Sequence, residues 1–186
     1  MLDDRIEKSI FLISLNNIKQ DLAKHRWIKN LTLKTEYPST IIIQITEKKP
    51  IAIFCGASNK YSFIDDLGQI IDEANMQVSE NFLVVKGKDA IINTPKLIVN
   101  LKNNFNFEIT KAEYIGKRRW DILINDILRV KLPENDYIPA MKSLSKLLVK
   151  IEKFDYNLIE FIDLRTSKKA IIRFYDKNKI DLLNDL

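Results

Sequence analysis

The chain of 186 residues is 46% hydrophobic and 30% charged, so it can bury a sizeable core as one domain or as two small ones. Its 30 basic and 25 acidic residues give a net charge of +5, but they are largely intermixed, whereas a purely electrostatic nucleic-acid binder usually shows more bias. No apolar run approaches the roughly 18 to 20 residues of a membrane helix, and the acidic start MLDDRIEKS is wrong for a signal peptide.

The start of the chain predicts two short amphipathic helices. In the segment DDRIEKSIFLI, Ile6 and Ile10 lie four residues apart, as they would on one face of a helix. Ser14 is a suitable N-cap for a second helix, whose apolar residues recur at helical spacing. These apolar residues are Leu15, Ile18 and Leu22. The sequence therefore predicts that two helices precede the first strand.

A change from helical to alternating period then predicts a β-hairpin packed under these helices. Its turn is expected at residues 37–40. The apolar residues on its buried face would be Leu31, Leu33, Ile41, Ile43 and Ile45. Pro50 follows two lysines and is expected to end this small unit. The sequence thus predicts two domains, the first over residues 1–50 and the second over residues 51–186.

From residue 51 onward strands dominate, beginning with the segments IAIF, KYSFID and GQIID. The last two are joined by a tight turn in which Gly68 supplies the positive φ that such turns often need. After a further apolar run, FLVVKG, a helix is predicted with Thr94 as its N-cap and Pro95 at its first position. Its buried stripe would consist of Leu97, Ile98, Leu101 and Phe105.

The remainder of the chain predicts two hairpins separated by a helix. The segment RRWDILINDILRVKLP alternates on both sides of Asn125 and Asp126, which predicts a tight two-residue turn. One face of the following helix would carry Ile138, Met141, Leu144, Leu148 and Ile151. The segment IEFIDLRTSKKAIIRF predicts a closing hairpin that completes the sheet. The fold class is therefore α+β: two helices on a short sheet, followed by a larger, mostly antiparallel sheet with two helices.

The residues that usually carry catalysis or bind metals are scarce. Cys55 is the only cysteine, which excludes an intrachain disulfide and a thiolate metal site. One histidine, His25, and four glycines exclude a two-histidine zinc site, a Walker loop and a glycine-rich dinucleotide fingerprint. His25 is interpreted as a solvated residue at a helix end, and the acidic pairs at residues 65–66 and 134–136 fall in turns where acids are ordinary. We therefore predict no catalytic site, cofactor, metal or small-molecule ligand.

Several motifs follow one another in a recognisable order. HRWIKNLTLKTEYPSTIIIQITEKKPIAIF carries a Trp27-Ile28 pair, an aromatic-proline turn at residues 37–38 and a Glu-x-x-Pro-Ile-Ala exit at residues 47–52. YSFIDDLGQII, RRWDILINDILRVKLP and IDLR come later. In this order the motifs resemble the POTRA domain and the β domain of the FtsQ/DivIB family of bacterial cell-division proteins. The hairpin glycine of the family is Asp126 here, and Asp tolerates the left-handed conformation less well than Gly.

The resemblance implies a function without catalysis and without nucleic acid. It implies an adaptor that gathers division proteins at the septum, in particular the FtsB and FtsL coiled-coil pair, which adds a strand to the last strand of the sheet. Family members carry a short cytoplasmic tail and one membrane helix upstream, and neither is in this sequence. The resemblance thus implies the periplasmic (extracytoplasmic) part of a single-pass inner-membrane protein, with a POTRA unit that lacks its first strand.

The resemblance places the partner-binding strand at about residues 168–174. Alternation divides this strand into a face with Ala170, Ile172 and Phe174 and a face with Ile171 and Arg173. Phe174 resembles the aromatic anchor of the family's binding strand, whereas alternation alone favours the core for it. An arginine of the RR pair is expected to bind an acidic partner residue. The residues expected to contact the partner are Arg118, Arg119, Thr166, Lys168, Lys169, Ala170, Ile172 and Phe174.

Other interpretations of the same residues stay open. Lys168 and Lys169 are also typical of the charges that protect edge strands from aggregation. A POTRA-containing secretion or outer-membrane assembly module would likewise act by strand addition. The segment IGKRRW could instead serve a basic RNA-binding module in which Trp120 stacks on a base. A catalytic function is the least favoured of these.

Overall fold

The computed structural model describes residues 13–75, 82–105, 107–135, 137–151, 156–166 and 169–175. The chain forms two compact units, Met1–Lys49 and Pro50–Leu186. Within the described ranges it contains three α-helices and eleven strands, so the predicted α+β fold class is confirmed. The first predicted helix lies in the part of the chain before residue 13, outside the described residues.

The helix of the first unit begins where the sequence predicts. Helix α1 (Leu15–Ala23) has Ser14 as its N-cap, and the hydroxyl of Ser14 accepts a hydrogen bond from the Asn17 N–H at 3.4 Å. Such a cap satisfies one of the backbone donors that the first turn leaves unpaired. Ile18 of this helix is buried.

The hairpin that follows has the predicted strands and the predicted apolar face. Strands β1 (Ile28–Glu36) and β2 (Thr40–Glu47) pair antiparallel with Leu33 opposite Ile43, so the alternating apolar residues of the two strands share a face. That face is only partly covered among the described residues: Ile45 near the end of β2 is exposed, because α1 packs mainly on β1.

Within the described ranges, nine strands of the second unit form one mixed sheet. They are β3 (Ala52–Cys55), β4 (Tyr61–Ile64), β5 (Ile70–Ala74), β6 (Val84–Lys86), β7 (Ile109–Ile115), β8 (Arg119–Ile124), β9 (Leu128–Lys131), β10 (Ile159–Asp163) and β11 (Ile171–Phe174). Their order across the sheet is β11-β10-β9-β8-β7-β6-β3-β4-β5. The pairs β3–β6, β6–β7 and β9–β10 are parallel and the other five are antiparallel, so the sheet is mostly antiparallel, as predicted.

Helices α2 (Ala90–Asn104) and α3 (Tyr137–Lys150) pack over one face of this sheet. The strand residues beneath them form a continuous apolar row across paired strands. From β3 to β11 the row consists of Phe54, Val85, Ala112, Ile122, Val130, Ile162 and Ile172. The row and the inner faces of both helices belong to one hydrophobic cluster, and removal of this apolar surface from water stabilises the unit.

Helix α2 begins earlier than predicted. Its first residue is Ala90, so Thr94 and Pro95 lie inside the helix, and their assignment as N-cap and first residue is wrong. The buried Thr94 hydroxyl donates to the Ala90 carbonyl at 2.8 Å. A hydroxyl that bonds back by one turn occurs inside helices. Pro95 has no N–H to donate to the Ile91 carbonyl, so the helix continues past it without that backbone hydrogen bond. The predicted stripe of Leu97, Ile98, Leu101 and Phe105 is buried, which confirms the face of the helix.

The buried stripe of α3 differs from the prediction by one residue at its start. The buried residues are Tyr137, Met141, Leu144, Leu148 and, just after the helix, Ile151. Ile138 is only half-buried, so its assignment to the stripe is wrong. Tyr137 takes that place because its ring is buried while its hydroxyl accepts a hydrogen bond from Asn100 Nδ2 of α2 at 3.0 Å.

The turn between β8 and β9 has three residues and not the predicted two. Ile124 pairs with Leu128, and Asn125 and Asp126 both have positive φ, at 49° and 58°. The Asp126 carboxylate accepts hydrogen bonds from Lys111 Nζ at 2.8 Å and from the Thr110 hydroxyl at 3.1 Å, and the bond from the lysine lowers the pKa of Asp126. These bonds hold a residue other than glycine in the left-handed conformation.

Strand β7 (Ile109–Ile115) is missing from the prediction. It lies in the middle of the sheet, parallel to β6 and antiparallel to β8. Its inward residue at the centre is Ala112, and the neighbouring Lys111 and Glu113 are exposed. A strand with a small central residue and charged neighbours lacks the run of β-branched and aromatic residues that usually indicates a strand.

Candidate partner-binding edge

Strand β11 lies at one end of the large sheet, and among the described residues it pairs with β10 alone. The Tyr175 N–H donates to the Leu158 carbonyl of the neighbouring chain segment at 3.1 Å. Because successive residues of a strand direct their backbone groups to opposite sides, Arg173 and Ile171 also face β10. The N–H and C=O groups of Ile172 and Phe174 therefore point to the open edge.

The side chains of β11 alternate as predicted between the core and solvent. Phe174 is buried and belongs to the hydrophobic cluster, and Ile172 is half-buried against the same cluster. Ile171 is 54% exposed and Tyr175 is 71% exposed, on either side of the exposed Arg173. The aromatic side chain of Phe174 thus packs in the core, and the exposed aromatic next to it is Tyr175, which is not among the residues predicted to contact the partner.

The strand is shorter than the predicted range of residues 168–174. It begins at Ile171, so Lys169 and Ala170 are exposed but lie outside the strand, and Lys168 lies outside the described residues. Thr166 is exposed, and its carbonyl accepts the Lys169 N–H at 3.4 Å. The Lys169 N–H is thus bonded to Thr166 and not to β10, and the ladder with β10 begins at Ile171.

An ion pair fixes the chain where it leaves β10. The Asp163 carboxylate accepts the Arg165 backbone N–H at 3.0 Å and the Arg165 Nε at 2.9 Å, and Asp163 is buried opposite Ile171 of β11. The hydrogen bond from the Arg165 guanidinium lowers the pKa of Asp163, although burial acts in the opposite direction. The ionised form of Asp163 is therefore favoured by folding.

Replacing Arg165 with glutamine is expected to lower the free energy of unfolding at pH 7 by roughly 0.5–1 kcal/mol, since the guanidinium is half exposed. Because the folded pKa of Asp163 is lowered, the stabilisation is present above the ordinary Asp pKa of about 4 and is lost as the pH falls through the folded pKa. Urea unfolding of the wild type and of Arg165→Gln at pH 7 and near pH 2.5 measures this loss of stability. If the two free energies of unfolding differ by the same amount at both pH values, the ion pair between Asp163 and Arg165 is not the cause.

The sheet face opposite the helices carries a transverse row of mainly charged residues. From the edge inward the paired residues are Ile171, Asp163, Lys131, Asp121, Glu113 and Lys86. Burial raises the pKa of Asp121, and Arg119 and Lys131 only partly offset this. Lys131 Nζ lies 3.5 Å from the ring centroid of Phe161, and Arg173 lies on the same ring at 5.7 Å. We call this surface the open face.

The two predicted arginines have different environments, and neither is next to β11. Arg119 is largely buried, and its Nε lies 3.4 Å from the Asp121 carboxylate. Arg118 is exposed in the turn before β8, and its Nη1 lies 3.7 Å from Glu134. Strands β9 and β10 separate β8 from β11. Arg118 therefore has the more accessible guanidinium of the two.

Trp120 does not offer a surface for base stacking. Its side chain is only 3% exposed, and its ring packs against Tyr114 with a centroid distance of 4.7 Å. The proposed stacking of Trp120 on a base is therefore wrong, because a buried ring cannot present a face to a nucleotide.

The described ranges contain no helix that is both long and apolar enough to cross a membrane. In the same ranges no three histidine, cysteine or acidic side chains lie close enough together to hold a metal ion. Cys55 is a buried free cysteine.

Comparison with known proteins gives matches over both units. A family model described as "Cell division protein FtsQ/DivIB, C-terminal" matches residues 52–165, and one described as "POTRA domain, FtsQ-type" matches residues 1–48. The chain is 31% identical to cell division protein FtsQ of Rickettsia felis over 168 residues, which are 89% of this chain and 62% of that protein.

Two further proteins named cell division protein FtsQ extend this comparison. The one from Rickettsia bellii is 31% identical over 94% of this chain and 65% of its own length, and the one from Bradyrhizobium diazoefficiens is 28% identical over 89% and 48%. The chain spans less than two thirds of the length of each of these relatives. With a POTRA match in its first unit and an FtsQ/DivIB match through most of its large sheet, the chain belongs to the FtsQ/DivIB family of cell division proteins.

Proposed function

We propose that this chain is a non-catalytic adaptor of the division machinery that recruits septal proteins by accepting a β-strand from an FtsB/FtsL-type partner at β11. The observation that carries the proposal is the position of β11 at the end of the large sheet, with the backbone groups of Ile172 and Phe174 directed away from β10. Unpaired N–H and C=O groups on an edge strand are a template for an added strand.

The edge offers four outward backbone groups, two N–H and two C=O, on Ile172 and Phe174. Each hydrogen bond formed there would contribute only about 0.5–1.5 kcal/mol net. Main-chain bonding over so short a strand is therefore insufficient for a stable complex, and side chains must add to it. Ile171 and Tyr175 are the exposed apolar side chains beside these groups, and such anchors supply much of the affinity of small interfaces.

We further infer that residues 1–50 and 51–186 act as separate domains on the periplasmic side of the inner membrane, and that a membrane helix upstream of this sequence holds them at the division septum. The two family models match on either side of residue 50, and the compact units divide between Lys49 and Pro50. In this position the first domain could bind other septal membrane proteins.

Backbone amide exchange tests the docking edge. We expect the amides of Ile172 and Phe174 to become protected when a soluble FtsB/FtsL-type fragment from the same organism is added, because they face the open edge. The amides of Ile171 and Arg173 already face β10 and should change much less. Protection elsewhere with none at Ile172 and Phe174 would contradict docking at β11.

The dependence on salt separates this proposal from nucleic-acid binding. Strand addition rests on main-chain hydrogen bonds and apolar contacts, so its affinity should change little with ionic strength. Binding to RNA would weaken steeply as salt is added, because condensed counterions are released from the phosphates on binding.

A further inference from the structure

The two helices that cover the large sheet carry a one-sided charge. The segments Ala90–Asn104 and Tyr137–Lys150 contain no acidic residue, although acids make up 25 of the 186 residues of the chain. Their basic residues are all lysines, and all are exposed. They are Lys96, Lys102, Lys142, Lys146 and Lys150. Among the described residues, no carboxylate lies within ion-pair distance of any of these five amines.

Exposed apolar side chains lie between these lysines. On α2, Ile92 is 73% exposed and Val99 is 58% exposed, and on α3, Val149 is 67% exposed. The outer stripe of α2 reads Ile92, Lys96, Val99 and Lys102, at the spacings of four, three and three residues that keep side chains on one helix face. The outer side of a helix in a globular domain is usually polar. Here it alternates between apolar and cationic residues.

The surroundings of the first turn of α2 extend this apolar surface. Leu67 is exposed in the β4–β5 turn, and the next residue, Gly68, packs directly against the backbone of Ile91 and Ile92. The acidic residue beside the start of α2, Asp89, is paired with Lys117 Nζ at 3.3 Å. Asp66 is an exposed acid in the β4–β5 turn, at the end of the surface away from Lys102.

We propose that this outer surface of α2 and α3, which we call the lysine face, docks on an anionic phospholipid surface. Charge complementarity selects an anionic partner, since the face presents five amines and the two helices contribute no carboxylate. A lipid surface is favoured over a polyanion by the exposed apolar residues Ile92, Val99 and Val149. Aliphatic side chains and the stems of lysines can enter the headgroup boundary of a membrane while the ammonium groups reach the phosphates. Neither helix presents an exposed aromatic ring for base stacking, as Tyr137 is buried.

Cosedimentation with vesicles tests the proposal on the whole 186-residue chain. We expect retention on vesicles of phosphatidylcholine and phosphatidylglycerol at 3:1, and none on phosphatidylcholine alone. The double variant Lys96→Glu, Lys146→Glu should lower the apparent partition coefficient about tenfold or more, since each lysine near an anionic surface contributes substantially to binding. A matched control is Lys86→Glu, Arg129→Glu, which makes the same change in net charge on the open face of the sheet.

The control decides whether the effect belongs to the lysine face. If the open-face variant loses as much binding as the lysine-face variant, the attraction is a property of net charge and the proposal is overturned. Absence of binding to the anionic vesicles at 50 mM salt overturns it as well. Thermal unfolding of each variant checks the fold. Lys96 and Lys146 are exposed, so we expect the lysine-face variant to keep the melting temperature of the wild type. The control should melt at a lower temperature, because Lys86→Glu faces Glu113 and Arg129→Glu removes a cation that stabilises the ionised Asp121, so binding is compared at a temperature where both variants are folded.

The apolar part of the proposal has its own test. Ile92→Ser with Val99→Ser should reduce the binding that remains at 150 mM salt at least threefold, whereas Ile127→Ser, an exposed apolar residue in the β8–β9 turn, should leave it unchanged. Equal binding of the wild type and both serine variants to vesicles would overturn the role of Ile92 and Val99 in lipid docking. Tighter binding to single-stranded DNA than to vesicles would show that the partner is a polyanion and not a lipid surface.

Discussion

Replacing Ile172 with proline is expected to abolish strand addition at β11 while the domain stays folded. Proline has no N–H, and the N–H of Ile172 is one of the two donors that face the open edge. Its ring also fills the space that a partner carbonyl would occupy. Sheets tolerate proline on edge strands when the missing N–H faces away from the neighbouring strand. We expect the affinity for the partner to fall by about a hundredfold or more, measured by calorimetric titration.

Ile172→Ala is the matched control for this variant. It removes the same half-buried side-chain contacts but keeps the backbone donor, so it should retain most of the affinity. The difference between the two variants isolates the edge N–H from the packing of the side chain. If proline and alanine at this position bind the partner equally well, β11 is not the docking strand.

Replacing Gly87 with alanine is expected to destabilise the second unit by about 3 kcal/mol or more. Gly87 has φ of +112°, which side-chain-bearing residues rarely adopt, and an added Cβ would lie 2.3 Å from the Tyr114 carbonyl oxygen of β7. The contact is with backbone and not with a flexible side chain, so β6 and β7 would have to separate next to Lys86 and Glu113, the last pair of their ladder. Chemical denaturation measures the loss.

Gly116→Ala separates the clash from the effect of the dihedral angle. Gly116 also has positive φ, at +58°, but the nearest atom to an added Cβ lies 3.7 Å away in the flexible side chain of Arg118. Its alanine variant should therefore cost only the left-handed conformation, about 1–2 kcal/mol. Equal losses for the two glycines would show that the approach of β7 to Gly87 is not the cause.

Local signals with a direct physical meaning predicted the elements that they specify. Ser14 begins α1 because its hydroxyl can accept an N–H of the first turn, and Gly68 supplies the positive φ of the β4–β5 turn, at +71°. Thr94 and Pro95 give an equally familiar signal, but they occur in the second turn of α2. The helix in fact begins directly after Asp89. Asp89 has a φ of 65° and its side chain makes no capping hydrogen bond, and neither property can be recognised in the sequence.

Long-range pairing explains what the sequence could not predict at the candidate site. Alternation predicted which side chains of β11 face solvent, yet the place where the strand begins depends on its partner β10 and on the hydrogen bond from the Lys169 N–H to the Thr166 carbonyl. Arg118 and Arg119 are adjacent and chemically identical in the sequence. The sequence does not show where β8 begins. The pairing of Arg119 with Ile115 of β7 places Arg119 in the strand, on the same face as Asp121, and leaves Arg118 in the turn.

The parallel pairing of β9 with β10 has a consequence for how the docking edge forms. Parallel neighbours cannot be joined by a tight turn, so the chain crosses through α3 before Asp163 pairs with Lys131, which closes a loop of about 30 residues. Such late, non-local contacts form slowly. Among the described residues, the β10–β11 hairpin pairs with the rest of the sheet through that one short ladder, in addition to its apolar contacts with the core. The hairpin should therefore open locally at a lower free energy than the central strands. A partner strand bound to β11 would hold the β10–β11 hairpin closed. Binding at the edge should therefore be measurable as slower opening of the whole hairpin.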